Sequence, residues 1–189
     1  IPTMFGREEL LSRLGMSLPP VHEVIIINDK DLLLAGKRNK GAFQATGDYL
    51  LFLDDDNYLM PYAVSNLVSI MQDKSIGVAG MIAIYDDKIW KVADGGTHWH
   101  LVSGFSKDNL VNKQAMDVWT TTKNFYDVDE VANAFMIRKE VFHEIDGFDA
   151  RRFPIDLDEA DFCMRAKGRG YRVVCAPCAI CVHKSLTYS

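Results

Sequence analysis

Asp48-Tyr49-Leu50-Leu51-Phe52-Leu53-Asp54-Asp55-Asp56-Asn57 decides the fold. An apolar run that stops against three consecutive carboxylates reads as a buried strand ending at a polar sheet edge. Upstream, Glu23-Val24-Ile25-Ile26-Ile27 ends in the same way at Asn28-Asp29. Between the two, residues 32–44 carry Lys37, Arg38 and Lys40 beside Leu and Ala, which predicts a short amphipathic helix closed by Gly47. A strand, helix, strand unit sets both acidic strand ends on one edge of a sheet, and the carboxyl edge is where open α/β sheets bind ligands. The predicted class is α/β, a central mixed sheet flanked by helices.

Further along, residues 61–71 read as a helix, with Pro61 in its first turn and Val64, Leu67, Val68 and Met71 on one face. Residues 78–85 read as a strand. Residues 86–112 are polar and centre on Gly95-Gly96-Thr97-His98-Trp99-His100, which predicts a long surface loop or loose hairpin of the kind that serves as a substrate lid. A strand over 128–137, a short helix over 139–145, a helix over 158–167 with an acid-rich first turn, and a strand over 171–182 complete the pattern.

The chain has 189 residues, 48% hydrophobic and 25% charged, which suits a single domain over 1–189. Its longest uncharged stretch, Asn57 to Gln72, is broken by Pro61 and several polar residues, and the apolar Val173 to Val182 contains Pro177, whereas crossing a bilayer takes about 20 apolar residues. A formal net charge of −5 excludes nucleic-acid binding through a broad basic face, so an anionic ligand needs a local cation or a metal. The first residues show no secretory pattern. Three of the four cysteines share one segment, Cys175-x-x-Cys178-x-x-Cys181, where strand alternation turns neighbours three apart to opposite faces. Small buried thiols, rather than a disulfide scaffold or a metal cluster, and a reducing cytoplasm are the expectation.

Three adjoining carboxylates repel one another at a half-buried strand end unless a cation is near. Oxygen donors of this kind suit Mg²⁺ or Mn²⁺, which take few protein carboxylates and fill their other positions with phosphate oxygens and water; the alternative is a solvated acidic turn. Asp158-Glu159-Ala160-Asp161 sits in the first turn of a predicted helix, where the dipole favours acids even without chemistry. Together the clusters allow one carboxylate to hold a metal while another acts as a general base.

With these motifs in this order, the chain resembles the family 2 glycosyltransferases, inverting enzymes with the GT-A nucleotide-sugar fold. Ile1-Pro2-Thr3 is similar to the end of their first strand, and Glu23 to Asp29 to the second strand with its nucleotide-contacting end. Arg38-Asn39-Lys40-Gly41 and the run into Asp54-Asp55-Asp56 are similar to the approach to their metal-binding motif. Asn133 to Phe142 followed by Asp146-Gly147-Phe148-Asp149 resembles the acceptor-side segment, and Asp158-Glu159-Ala160-Asp161 the motif supplying the base.

The resemblance implies a Rossmann-like catalytic domain whose first strand begins before Ile1 and whose relatives continue past Ser189. It implies Asp56 as the ligand of Mg²⁺ or Mn²⁺, with Asp54 and Asp55 facing the ribose or orienting the metal site. Pro2, Thr3, Asn28, Asp29 and Arg38 would surround the nucleobase. Glu159 takes the position of the base, with Asp158 as its nearest rival. His183 either completes the metal site, touches the phosphates or is a surface residue; His98 and His100 read as lid or surface residues, and Trp99 as either a platform for a sugar face or an exposed loop aromatic. Implied partners are a nucleotide-diphosphate sugar and a carbohydrate or glycolipid acceptor, with peripheral contact at the inner membrane face compatible. A sugar nucleotidyltransferase would need a glycine-rich loop where only Gly6 stands, and a dinucleotide oxidoreductase lacks its G-x-G-x-x-G. A noncatalytic nucleotide-sugar-binding relative is the non-enzyme alternative.

Overall fold

The computed structural model describes residues 1–4, 6–86, 90–100, 105–108 and 124–184. Strands β1 (Tyr49–Leu53), β2 (Asn57–Leu59), β3 (Ile76–Tyr85), β4 (Val92–Asp94), β7 (Tyr126–Asp127), β8 (Ala134–Arg138) and β9 (Arg172–His183) form one mixed sheet. The order is β1-β8-β3-β9-β2, with β4 added to β3 and β7 to β9. Among the described strands only β3 and β9 pair in parallel. Strands β5 (Thr97–His100) and β6 (Phe105–Asp108) make a separate antiparallel hairpin.

Alternation along β1 explains the layers. Leu50 and Phe52 join one core with helices α2 (Leu34–Gln44), α4 (Lys139–Glu144) and α5 (Asp158–Gly168), while Leu53 joins the other with α1 (Glu8–Ser17) and α3 (Ala63–Ile70). β3 is buried from Ile76 to Ile84, as a central strand covered on both faces must be. The first core is an aromatic stack: Phe52 lies 5.3 Å from Phe135 and 5.2 Å from Phe148, which in turn is 4.9 Å from Phe162. Arg138 closes the turn after α3, donating to the Met71, Asp73 and Ile76 carbonyls.

Several expectations need correction. Residues 23–27 are not a strand; only Ile27 forms a bridge, to Pro2, and Val24 and Ile26 are each 50% exposed. A strand needs a partner of its own length, and the partner here is Ile1, Pro2 and Thr3, bonded through Ile27 N–H to Ile1 O at 2.9 Å and Thr3 N–H to Ile27 O at 3.0 Å. An apolar groove of about 390 Å³, lined by Val24, Ile25, Tyr49, Leu51, Val64 and Val68, separates this segment from β1. The strand expected over 128–137 shortens to β8, because Asn133 takes a left-handed φ of 59° just before it. Helix α1 has no counterpart in the sequence reading; it buries Leu14, and its Ser17 hydroxyl accepts the Leu59 N–H at 2.9 Å, tying it to β2. The stretch 86–112 holds β4 and the β5–β6 hairpin, and its remaining residues 87–89, 101–104 and 109–112 lie outside the described ones.

β9 carries an interruption. Its pairing with β3 jumps from Ala176 opposite Met81 to Ile180 opposite Ile82, so Pro177, Cys178 and Ala179 bulge out. Cys175 and Cys181 then lie in the two different cores, whereas unbroken alternation would put residues six apart on one face, and Cys178 is exposed; of the thiols expected to be buried, Cys163, Cys175 and Cys181 are.

One side-chain lock joins two of the sequence motifs. Asn39 on α2 donates to the Phe148 carbonyl at 2.8 Å and accepts the Phe148 N–H at 2.9 Å. The turn beneath it needs Gly147, which has φ 66° and would place a Cβ 2.7 Å from Asn39 Oδ1 and 2.9 Å from Phe142. Asn39→Ala is expected to cost about 1–3 kcal/mol by leaving both Phe148 backbone groups unpaired, read as a Tm fall of about 2–4 °C per kcal/mol; an unchanged Tm would remove the lock from the account.

Candidate active site

The turn after β1 presents three carboxylates in three directions, closed by Asn57 N–H on Asp54 O at 3.2 Å. Asp55 is 4% exposed and points back into the protein, accepting from Thr3 Oγ1 at 2.7 Å and pairing with Arg7. Asp54 turns toward Arg38, whose Nη2 stands 3.0 Å from Asp54 Oδ1. Asp56 turns toward the end of β9, where its Oδ2 is 3.5 Å from His183 Nε2. That meeting follows from sheet register, because Asn57 pairs with His183 across β2 and β9 and Lys184 N–H bonds Asp56 O at 2.9 Å.

The second acidic cluster opens α5. Leu157 adopts φ 63° and starts the helix, placing Asp158, fully buried, and Glu159 in its first turn. Arg38 Nη1 lies 2.7 Å from Asp158 Oδ2 and 2.6 Å from Glu159 Oε1. One guanidinium, 1% exposed and stacked 5.7 Å and 5.9 Å from the Phe135 and Phe148 rings, thus joins acids a hundred residues apart. Such burial of charge holds only when it is paired.

The electrostatics follow from this burial. Desolvation lifts the Glu159 carboxyl to about 7, with Arg38 pulling the other way and Asp158 adding to the rise. Burial also pushes Asp54 up, against Arg38. His183 is raised by its hydrogen bond to Asp56, in spite of partial burial.

Beside the carboxylates lies a cavity of about 340 Å³, walled by Pro2, Thr3, Met4, Arg7, Leu32, Leu33, Leu34, Lys37, Ile155 and Asp54 to Asp56. Lys37 reaches inward from α2 to the Thr3 carbonyl at 2.7 Å. The wall is therefore apolar on one side and charged on the other, a lining suited to a base and a phosphorylated sugar. Of the residues expected around a nucleobase, Pro2 and Thr3 line this cavity. Arg38, Asn28 and Asp29 do not: Asn28 is exposed, and Asp29 accepts from Lys40 at 2.7 Å and from the Asp31 N–H at 3.0 Å. Arg7, Lys37, Leu33 and Ile155 escape the sequence reading; Lys37, adjacent to Arg38 on the expected amphipathic helix, was the available signal.

The donors for a divalent ion are sparse. Among the described residues no three His, Cys, Asp or Glu groups converge on one point. Yet Asp56 Oδ1 and both polar side-chain atoms of Asn57 are buried without a hydrogen-bond partner, next to His183. One carboxylate and an imidazole with open polar atoms fit Mg²⁺ or Mn²⁺, whose remaining positions go to phosphate and water. Ser185, which follows in the His183 segment, lies outside the described residues. Trp99 is held by Glu130, its indole N–H donating to Oε2 at 2.7 Å, and by Asp129, which accepts its backbone N–H at 3.0 Å. His98, 42% exposed, lies 3.4 Å from Asp129 and is a surface residue.

Against known proteins, the family model described as Glycosyl transferase family 2 matches residues 20–146. No curated protein matches the chain. Among solved structures, GalNAc-T7 crystallised with UDP, GalNAc and Mn²⁺ superposes with a TM-score of 0.65 at 20% identity, over 84% of this chain and 32% of that one. The mannosyltransferase PcManGT from Pyrobaculum calidifontis, in complex with GDP-Man and Mn²⁺, gives a TM-score of 0.58 at 14% identity, over 87% of this chain and 40% of that one. The chain spans well under half the length of either. With the family match covering most of its length and the same α/β layers in both neighbours, this chain belongs to glycosyl transferase family 2 and has the GT-A fold.

Proposed function

We propose that the domain transfers a sugar from a nucleotide diphosphate to an acceptor hydroxyl with inversion, using a divalent metal. The observation that carries the reading is the convergence of Asp54, Asp158 and Glu159 on one buried arginine, at the edge of a cavity that Asp54 to Asp56 also line. The apolar wall of Leu33 and Ile155 takes the base, and Pro2 and Thr3 lie along its ribose side. Asp55, locked by Thr3 and Arg7, sets the shape of the floor.

Asp56 and His183 are the residues to hold Mg²⁺ or Mn²⁺, as the Mn²⁺ in both neighbour structures encourages. When bound, such an ion stabilises the negative charge gathering on the departing diphosphate. Glu159 removes the proton of the acceptor hydroxyl while the oxygen attacks the anomeric carbon from the face opposite the diphosphate. The bond to the phosphate oxygen breaks and its electron pair leaves with the nucleoside diphosphate. One displacement inverts the centre. Asp158, fully buried and bound to Arg38, is the neighbour that raises Glu159 rather than the group that meets the acceptor. The acceptor class is a carbohydrate or a glycolipid headgroup. Among the described residues no helix is long and apolar enough to cross a membrane.

Calorimetric titration with UDP, GDP and dTDP, each with and without Mn²⁺, tests the reading. One nucleotide is expected to bind only with metal, and Asp56→Ala to weaken that binding by about tenfold or more. No metal-dependent binding of any of the three by the folded protein would overturn it.

Glu159→Gln is expected to leave nucleotide affinity within about twofold and to slow transfer by about 10²–10⁴. A base must be deprotonated to act, and Glu159 loses its proton near 7. The rate is therefore expected to be low in acid and to rise through about pH 7 to a plateau, a limb that the Gln variant lacks. A flat profile from pH 5 to 8, estimated as the range spanning about one or more units either side of that value, would remove Glu159 as the base.

A further inference from the structure

We propose that Arg38 is a positioning residue that acts through Glu159: its guanidinium fixes the base carboxylate relative to the metal-side turn, without touching the nucleotide. The inference rests on the function proposed above and adds a role to a residue that the sequence alone would set beside the nucleobase.

The geometry separates the two roles. A nucleotide contact needs a donor facing the cavity, whereas Arg38 is 1% exposed and absent from the cavity wall. Its two terminal nitrogens are committed inward, Nη1 to Asp158 at 2.7 Å and Glu159 at 2.6 Å, and Nη2 to Asp54 at 3.0 Å. The rings of Phe135 and Phe148 hold the plane of the group in place. A planar fork at this point specifies the angle between the start of α5 and the turn after β1, since either carboxylate can move only by breaking a buried ion pair. Glu159 itself meets Arg38 through Oε1, so the guanidinium holds the carboxylate at a defined atom. Lysine at this position keeps the charge but offers a single flexible ammonium, which cannot serve three carboxylates in three fixed directions.

The test compares wild type, Arg38→Lys, Glu159→Gln and the double variant. Each is assayed for metal-dependent nucleotide binding by calorimetry, for release of nucleoside diphosphate from the sugar donor of whichever nucleotide binds, and for Tm. Arg38→Lys is expected to bind nucleotide within about twofold of wild type and to lower kcat by about 30-fold, the scale of a misplaced catalytic group. In the Glu159→Gln background the same change is expected to cost less than about twofold, because residues acting as one unit are not additive. A tenfold loss of nucleotide affinity at unchanged kcat would make Arg38 a nucleotide contact and overturn the proposal. An undiminished kcat, or a kcat loss of equal size in both backgrounds, would overturn it too. If Arg38→Lys does not fold, Asp158→Asn replaces it in the same cycle, and a wild-type kcat for that variant overturns the proposal. Wild-type protein that binds no nucleotide with metal overturns the functional reading itself, and this inference with it; binding and turnover in wild type with additive variants overturns the inference alone.

Discussion

Everything near the carboxyl edge of the sheet depends on one buried cation. Arg38 faces Asp54, Asp158 and Glu159, an excess of negative charge that a low-dielectric interior does not tolerate without compensation. Its attraction sets the docking of α5 against α2 and β1, and the Phe135 and Phe148 faces beneath it supply the flat apolar bed on which the guanidinium rests. Remaining negative charge is the useful part. Asp54 and Glu159 both stay uneasy as anions, raised by burial, and in the function proposed above a divalent ion or an acceptor proton would relieve that unease. Stability and reactivity are in this sense two readings of the same surplus.

A second constraint is steric and lies just behind the first. Asn39, the residue after Arg38, clamps the Phe148 backbone, and Gly147 makes room for the clamp. Thus one turn of α2 carries both the electrostatic link to α5 and the mechanical link to the segment between α4 and α5. Lys37, the residue before, reaches the Thr3 carbonyl on the cavity side. Three consecutive side chains on one helix fix three different neighbours of the site.

Much of this was legible in the sequence, and the parts that were not have physical reasons. The strand of residues 49–53 and its acidic terminus were plain because an apolar run meeting three carboxylates has few other solutions. The acid-rich start of α5 was plain as well; the division of Cys175 and Cys181 between two cores was not, because the bulge at Pro177 breaks the alternation between them. The strand expected at residues 23–27 failed because composition reports what a segment could pair with and says nothing of whether a partner of equal length is there. The direction of Arg38 was hidden for a related reason: expected beside the nucleobase, it turns inward because the fold brings carboxylates from residues 54, 158 and 159 against it. Arg7 and Lys37 share that fate. The apolar cavity wall is assembled from Leu33 and Ile155, far apart in the chain, and neither carries a local signature.

The bulge at Pro177 lets β9 serve two neighbourhoods in succession, β7 before it and β2 after it. Only the second half brings His183 beside Asp56, a contact that spans more than a hundred residues of intervening chain. Contacts of such separation close late in folding, because the loop entropy is lost before the contact rewards it. On a ribosome the consequence is temporal: the acidic turn at residues 54–56 emerges while the histidine that will face it is still unmade. The pairing of Asp56 with His183 therefore waits on the docking of β9, and the acidic turn stays open on that side until it does.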